Sequence, residues 1–348
     1  MPDDFLGTER LDKYISSLPN GLGRSKLKSG VHEILVNSQP AKLSSKVRAG
    51  DLIDIQWEDS VPDNINPEDI PLKIIFENDD VTVVNKEQGM VTHPAAGNWS
   101  GTLVNALLHR WGRASLSQIK DGQSSQDLAR LRPGIVHRLD KDTSGIIITA
   151  KNRGAEDWLQ AQFQSRRLCK EYILIVRGCP PQKDGLVDTY IIRDPADRKR
   201  FKAEPLEGKK KFQKFGDDAE KNKGGDLPCA AAGKRSQTLY HVVSVYGGYS
   251  LVRVRLLTGR THQIRVHMKF LGCPVLGDAI YSKKDAAFPN ATLMLHARLL
   301  KIKLPGQNNF SVFKAAVPDR FKEVIKALKA AFPRSFASAG IKEAEAAR

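Results

Sequence analysis

The chain has 348 residues, of which 41% are apolar and 27% charged, with a formal charge of +16. That length exceeds one ordinary core, so two domains are expected, and the composition excludes a disordered chain. The excess of Lys and Arg favours polyanionic partners, nucleic acid ahead of an anionic membrane surface. The charge is uneven: residues 1–60 carry 8 basic and 9 acidic residues, yet 24–48 hold six basic residues against Glu33 alone. The opening MPDDFLGTERLDKYI lacks the basic and apolar regions of a secretory signal, and the runs GIIITA and YILIV are too short to span a bilayer. A cytoplasmic protein without a membrane partner is expected. Cys169, Cys179, Cys229 and Cys273 form no C-x-x-C pair and read as reduced thiols, with no zinc framework.

In chain order, Leu11, Tyr14, Ile15 and Leu18 share one face of a first helix. The basic stretch GRSKLKSG follows, then a strand ILVN, a turn around Ser38-Gln39-Pro40, and a closing strand DLIDIQW. These make a small domain over residues 1–59. The segment 60–71, SVPDNINPEDIP, has three prolines and no apolar periodicity and reads as a linker. A larger domain over 72–332 carries strand patterns in KIIFE, VTVVN, GIIITA, YILIV and YSLVRVRLL, and amphipathic helices in RGAEDWLQAQF and PDRFKEVIKALKAAF. Strands joined by short turns alternate with single helices, so the expected class is mixed α+β with a largely antiparallel sheet. The polar, Lys- and Gly-rich stretch 206–233 reads as a flexible insertion, and 333–348 as a tail.

The stretch HRLDKDTSG sets Asp140 and Asp142 beside Thr143-Ser144-Gly145. An aspartic protease needs two such carboxylate motifs sharing a proton, and here there is one, with charged Lys141 before it. A serine nucleophile at Ser144 has no histidine–acid partner suggested by spacing. His262 and His267 stand five apart and lack the glutamate of a zinc protease, and Arg260 and Arg265 beside them would repel a cation. No G-x-x-x-x-G-K-[ST] is present. What remains is an acid among bases. A helix from about Thr261 puts Ile264, His267, Met268 and Leu271 on one face and His262, Arg265 and Lys269 on the other. By geometry alone, that basic face serves equally as a plain solvated surface.

The blocks RPGIVHRLDKDTSG, GRTHQIRVHMKFLGCPVLGDAIY, VVNKEQGMVTHP and CKEYILIVRG resemble those of the RluA-type pseudouridine synthases of the ribosomal large-subunit kind. The likeness covers nearly all of 72–332. The family's usual Asn-Lys-Pro is Asn85-Lys86-Glu87 here. The first sixty residues resemble an S4 RNA-binding domain, through RLDKYI, RSKL, ILVN and AGDLIDI, with Asn37-Ser38 where an Asn-Gly turn is usual.

The resemblance implies an enzyme that isomerises uridine to pseudouridine in structured RNA, most naturally large-subunit ribosomal RNA. It implies Asp140 as the essential carboxylate, acting as nucleophile or base, and Arg265 as the cation paired with it. A carboxylate in a closed site stays ionised when a cation stands beside it. Tyr172 matches the family's active-site tyrosine, and Arg138 the arginine that enters the RNA where the base was. Asp142 is expected to cap the turn into GIIITA. Arg24, Lys26 and Lys28 are expected to bind phosphates, and His262 and Lys269 to contact RNA. No cofactor or metal is implied, and the expected state is a monomer. The alternatives are a catalytically silent RNA-binding or ribosome-assembly factor, and a synthase acting on transfer RNA.

Overall fold

The computed structural model describes residues 7–18, 27, 31–57, 65–95, 98–112, 134–197, 199–206 and 233–333. Most of the expected insertion at 206–233 and of the tail at 333–348 lies outside them, as do Arg24, Lys26 and Lys28. Among the described residues the chain divides into two compact units between Ile65 and Asn66.

In the first unit, β1 (Thr8–Arg10) leads directly into α1 (Leu11–Ser17) and pairs antiparallel with β4 (Lys46–Arg48). A three-stranded sheet has the order β3-β2-β5, from β2 (Val31–Val36), β3 (Gln39–Pro40) and β5 (Ile53–Trp57). Its small core gathers Leu11, Ile15, Leu27, Ile34 and Val47. Leu18, expected on the apolar face of α1, is instead exposed, because the helix ends at Ser17 and Leu18 turns to extended backbone. The turn also sits earlier than its proline suggested. Asn37 and Ser38 both have positive φ, 53° and 62°, so they form the two-residue turn and Gln39–Pro40 is already strand. Such a primed turn matches the right-handed strand twist. Asn37 tolerates it, and its side chain also bonds Leu52 N–H and the Asp51 carboxylate.

In the second unit, ten strands form one sheet: β6 (Lys73–Glu77), β7 (Val81–Lys86), β8 (Ser144–Ala150), β9 (Cys169–Arg177), β10 (Asp184–Arg193), β11 (Phe201–Pro205), β12 (Lys234–Tyr246), β13 (Tyr249–Leu256), β14 (Leu295–Lys303) and β15 (Phe310–Lys314). The order is β11-β10-β12-β13-β9-β14-β8-β7-β6, with β15 also on β14. Among the described residues four helices accompany it: α2 (Leu103–Trp111), α3 (Arg153–Ser165), α4 (Gln263–Phe270) and α5 (Asp319–Ala331). The class is the mixed α+β that the sequence led us to expect. The short β8–β14 pairing is parallel, whereas the other pairings within this sheet are antiparallel. Every residue of β8 is buried, because Ile147 faces one apolar cluster and Ile146 and Ile148 face another. A strand covered on both sides reads as a continuous apolar run, which is why GIIITA lacks alternation. Asn66, Glu68 and Ile70 belong to this unit: Glu68 N–H donates to the Asn105 carbonyl, and Asn105 Nδ2 to the Asn66 carbonyl. The second half of the expected linker is therefore tied to α2.

An L-residue such as Ser38 in the left-handed region costs about 1–2 kcal/mol. Ser38→Gly is expected to stabilise the β2–β3 hairpin by about 1 kcal/mol, slowing amide exchange at Ile34 and Val36 about five-fold. Unchanged exchange would show that the turn carries no strain.

Candidate active site

Asp140 lies in the turn that enters β8, and that turn is splinted through its backbone. The Leu139 carbonyl accepts Thr92 Oγ1–H, and the Asp140 carbonyl accepts Thr143 N–H. Gly89 N–H and the Lys86 ammonium both donate to the Lys141 carbonyl, and Gln88 Nε2 donates to that of Asp142. The end of β7 and the loop after it therefore hold three of four successive carbonyls, and the turn itself closes on the fourth, that of Asp140. Lys86 is 1% exposed, and its other two donors go to the Glu87 and Met90 carbonyls. Burial pushes its ammonium down to about 7, against the opposing pull of Asp140 and Asp142. Asp142 itself is exposed and the turn closes by backbone, so the expected side-chain cap is not formed.

The turn ends against β14. Ser144 and Gly145 pair with His296 and Ala297, and a Cβ on Gly145 (φ +116°) would stand 2.2 Å from the Ala297 carbonyl oxygen. Only glycine fits both that φ and that approach. The pairing also gives Ser144 a histidine partner that sequence spacing did not reveal: Ser144 Oγ lies 2.9 Å from His296 Nδ1 and accepts from Arg320 at 2.6 Å.

The side chain of Asp140 is about one-fifth exposed and faces a cavity of about 530 Å³. Arg265 reaches it from α4. The Arg265 Nε and one terminal nitrogen grip Asp278 at 2.7 and 2.8 Å, while the other terminal nitrogen lies 3.3 Å from Asp140 Oδ2. Asp278 is buried, and its Oδ1 also accepts the Ile280 and Tyr281 N–H groups. Burial alone would raise the Asp278 carboxyl; the Arg265 fork and the backbone donors outweigh it and hold it below the ordinary range. Burial likewise opposes charge on Arg265, but Asp278 and Asp140 more than offset it. Arg265 is 5% exposed, which rules out the plain solvated face.

Tyr172, on β9, belongs to the main apolar cluster and also lines the cavity, so it is both a core residue and a wall of the site. Burial pushes its phenol above the ordinary range, and the Asp140 charge adds to that. Arg138 is exposed at the cavity, and Arg166, Lys170, Arg255 and Arg260 line it too. Burial pushes the Lys170 ammonium down to about 8. His137 lines the same cavity, but its Nε2 accepts the Ile148 N–H and its ring stacks on Phe163. The helix expected from Thr261 starts two residues later, because His262 has φ 56° and stands ahead of α4. His262 Nδ1 is 2.9 Å from Tyr281 Oη, and Nε2 is 3.8 Å from Asp140 Oδ2. His267 is fully buried between Thr189 and Thr238, so the two histidines do not converge on a metal.

Residues 80–270 match the family model described as RNA pseudouridylate synthase. The chain is 37% identical to the ribosomal large subunit pseudouridine synthase D of Borreliella burgdorferi, over 90% of this chain and 87% of that protein. It is 33% identical to the protein of that name from Pasteurella multocida, over 92% of each. Among solved structures, human RNA pseudouridylate synthase domain containing 4 is similar in fold, with a TM-score of 0.52 and 23% identity, over 74% of this chain and 93% of that one. The chain belongs to the RNA pseudouridylate synthase family.

In this synthase the cavity brings together Asp140, Arg138, Tyr172, Arg265 and His262. Lys269 is not among its walls; it is exposed on α4, with its ammonium 5.7 Å from the Tyr281 ring centre. Sequence reasoning assigned no role to Asp278, Lys86, Lys170 or Tyr281. The available signal for Asp278 was its place in LGDAIY, one of the family blocks. No helix among the described residues is long and apolar enough to cross a membrane.

Removing one partner of a buried charge pair leaves the other charge uncompensated, at about 3–5 kcal/mol. Asp278→Asn is expected to destabilise the second unit by about that amount and to lower turnover at least ten-fold in the protein that remains folded. Denaturant unfolding and single-turnover rates check this together. Full activity in a destabilised variant would show that Arg265 needs no anchor.

Proposed function

We propose that this synthase isomerises specific uridines to pseudouridine in structured large-subunit ribosomal RNA, acting as a cytoplasmic monomer with Asp140 as the essential carboxylate. The observation that carries the reading is the Asp140–Arg265–Asp278 chain at a cavity otherwise rimmed by cations. The ring of positive charge suits a phosphate backbone, and the lone carboxylate suits one reacting ribose–uracil unit. The target RNA follows the two ribosomal large-subunit relatives.

The reaction detaches uracil at N1, turns it, and rejoins it through C5. It is redox-neutral and calls for no metal or nucleotide energy. The base must leave its stack, at a cost of about a few kcal/mol, and stacking on Tyr172 would return about 1–3 kcal/mol. Arg138, exposed at the rim, is suited to fill the space the base leaves in the RNA. Arg265 holds the Asp140 charge in place through the reaction. A silent RNA-binding factor would have no use for a buried arginine shared between two acids.

Incubating the protein with ribosomal RNA tritiated at uridine C5, without cofactor, tests the activity. Asp140→Asn should abolish tritium release while RNA affinity stays within about two-fold; Asp142→Asn should keep most of the rate. Equal loss from both substitutions would remove the single-acid assignment, and no release from the unaltered protein on several unmodified RNAs would favour the silent factor.

The first unit, similar in sequence to S4 domains, is proposed to bind backbone phosphates through Arg24, Lys26 and Lys28. Each lost phosphate contact flattens the log–log salt dependence by about one unit. The triple alanine variant should therefore bind more weakly, with a slope about two to three units shallower, and keep its Asp140-dependent chemistry. An unchanged slope would make these residues an ordinary solvated surface.

A further inference from the structure

Isomerisation breaks N1–C1′ and C5–H and forms C5–C1′ and N1–H. One proton must leave carbon and one must reach nitrogen. Asp140, the residue proposed above to act on the ribose–uracil unit, is a single group, and while it is engaged with that unit a second group has to handle this proton. The cavity offers few choices. Arg138 and Arg265 are permanent cations without a lone pair to give. The Tyr172 phenol is pushed up and neutral, which makes it a poor base. His137 has its Nε2 committed to the Ile148 N–H. The Lys170 ammonium stands 5.7 Å from the Phe163 ring centre and makes no ion pair with Asp140.

His262 differs from all of these. Its Nε2 lies 3.8 Å from Asp140 Oδ2, at the reacting carboxylate. Its Nδ1 lies 2.9 Å from Tyr281 Oη, which itself accepts the Phe201 N–H. The phenol keeps one proton and one further lone pair, so it can donate to Nδ1 or accept from it. Either imidazole tautomer is therefore satisfied without a proton leaving the site. The ring is held edge-on to both Phe201 and Tyr281, with centroids 5.8 and 5.5 Å away. Its backbone is left-handed at φ 56°, a strained conformation for a residue with a Cβ. That conformation ends the preceding loop one residue before α4 and sets His262 where its imidazole meets both Asp140 and Tyr281. Burial pushes the imidazole below its ordinary range, Asp140 and Asp278 pull it up, and Arg265 and Arg138 push it further down.

We propose that His262 is a catalytic residue, the proton carrier of the isomerisation, rather than an RNA contact. With Nδ1–H donated to Tyr281, the Nε2 lone pair takes the proton from C5 once C5 has bonded to C1′, and the C–H electron pair restores the ring double bond. The resulting imidazolium, facing the Asp140 carboxylate, gives the proton to N1 and returns to neutral. No proton is gained or lost overall. A C5 label then reaches water by exchange of the imidazolium or of the N1–H it forms.

His262→Gly separates this role from a structural one. It removes the imidazole, relieves the left-handed strain and leaves room for free imidazole. The expected result is a turnover about 100-fold lower, in the usual range for general acid–base catalysis, with RNA affinity within two-fold and no loss of melting temperature. Added imidazole should restore part of the rate, and Tyr281→Phe should lower turnover less than His262→Gly does. A weakened affinity with turnover kept would make His262 an RNA contact and overturn the proposal, as would a turnover loss that imidazole does not restore. The inference rests on the pseudouridylation reading. Absence of tritium release from the unaltered protein would count against that reading, whereas an active parent with an equally active His262→Gly variant would count against His262 alone.

Discussion

One guanidinium shared between two carboxylates organises this site. Arg265 is buried, and a buried cation is tolerated only when its hydrogen-bonding capacity is met. Asp278 meets it with a two-point grip that fixes the guanidinium plane, which leaves one edge aimed at Asp140. A lysine could not divide itself this way, because a single ammonium has no planar fork. The two acids are not equivalent. Asp278 is fully occupied by Arg265 and two backbone donors and serves as the anchor. Asp140 has the longer contact and a partly open side chain, so it is the one free to meet a substrate.

The second requirement is that the acid hold still, and here the backbone does more than the side chains. The Asp140 turn is bonded through the Leu139, Lys141 and Asp142 carbonyls to the end of β7 and the loop that follows it, and it terminates at Gly145 against Ala297. Two segments more than 150 residues apart in sequence thus meet at the close parallel step in the sheet. In strand order, five strands lie beyond β14 on one side of this junction and two beyond β8 on the other. Asp140, at the entry to β8, adjoins a strand buried along its whole length, where local opening is least favourable.

Much of the fold was legible because its signals are local. KIIFE and YSLVRVRLL fall on β6 and β13, RGAEDWLQAQF on α3, and PDRFKEVIKALKAAF on α5. Other elements, or their bounds, were not read. β12 runs through KRSQTLYHVVSVY, where a bulge between Val242 and Ser244 breaks the alternation a strand would otherwise print. α2 is nucleated by a capping box between Thr102 and Asn105, a short polar signal without charged companions. α4 begins late because His262 is held in a left-handed conformation by its setting, and no propensity announces that. In the site, the motif blocks pointed to Asp140, Tyr172 and Arg265. Asp278 was missed because it does nothing recognisable alone; its function is to hold another residue in position.

The Ser144–His296 pair shows how far adjacency is from reactivity. A serine is activated when a basic imidazole takes its proton and an acid steadies the resulting charge. Here the third member is Arg320, a cation that donates to Ser144 Oγ at 2.6 Å. Ser144 Oγ thus meets both Arg320 and His296 Nδ1, while the other imidazole nitrogen, Nε2, is buried without a hydrogen-bond partner. Burial first, and the nearby Arg320 after it, push the imidazole down to about 4, so at neutral pH it is a weak acceptor. Ser144 is also buried and lies outside the walls of the cavity. The trio joins α5 to the β8–β14 junction, but His296 Nε2 and Arg320 Nε are buried without a hydrogen-bond partner, so the cluster is only partly satisfied. Its electrostatics oppose nucleophilic chemistry at Ser144. The same sheet junction therefore carries two polar clusters, one buried at Ser144 and one open to the cavity at Asp140.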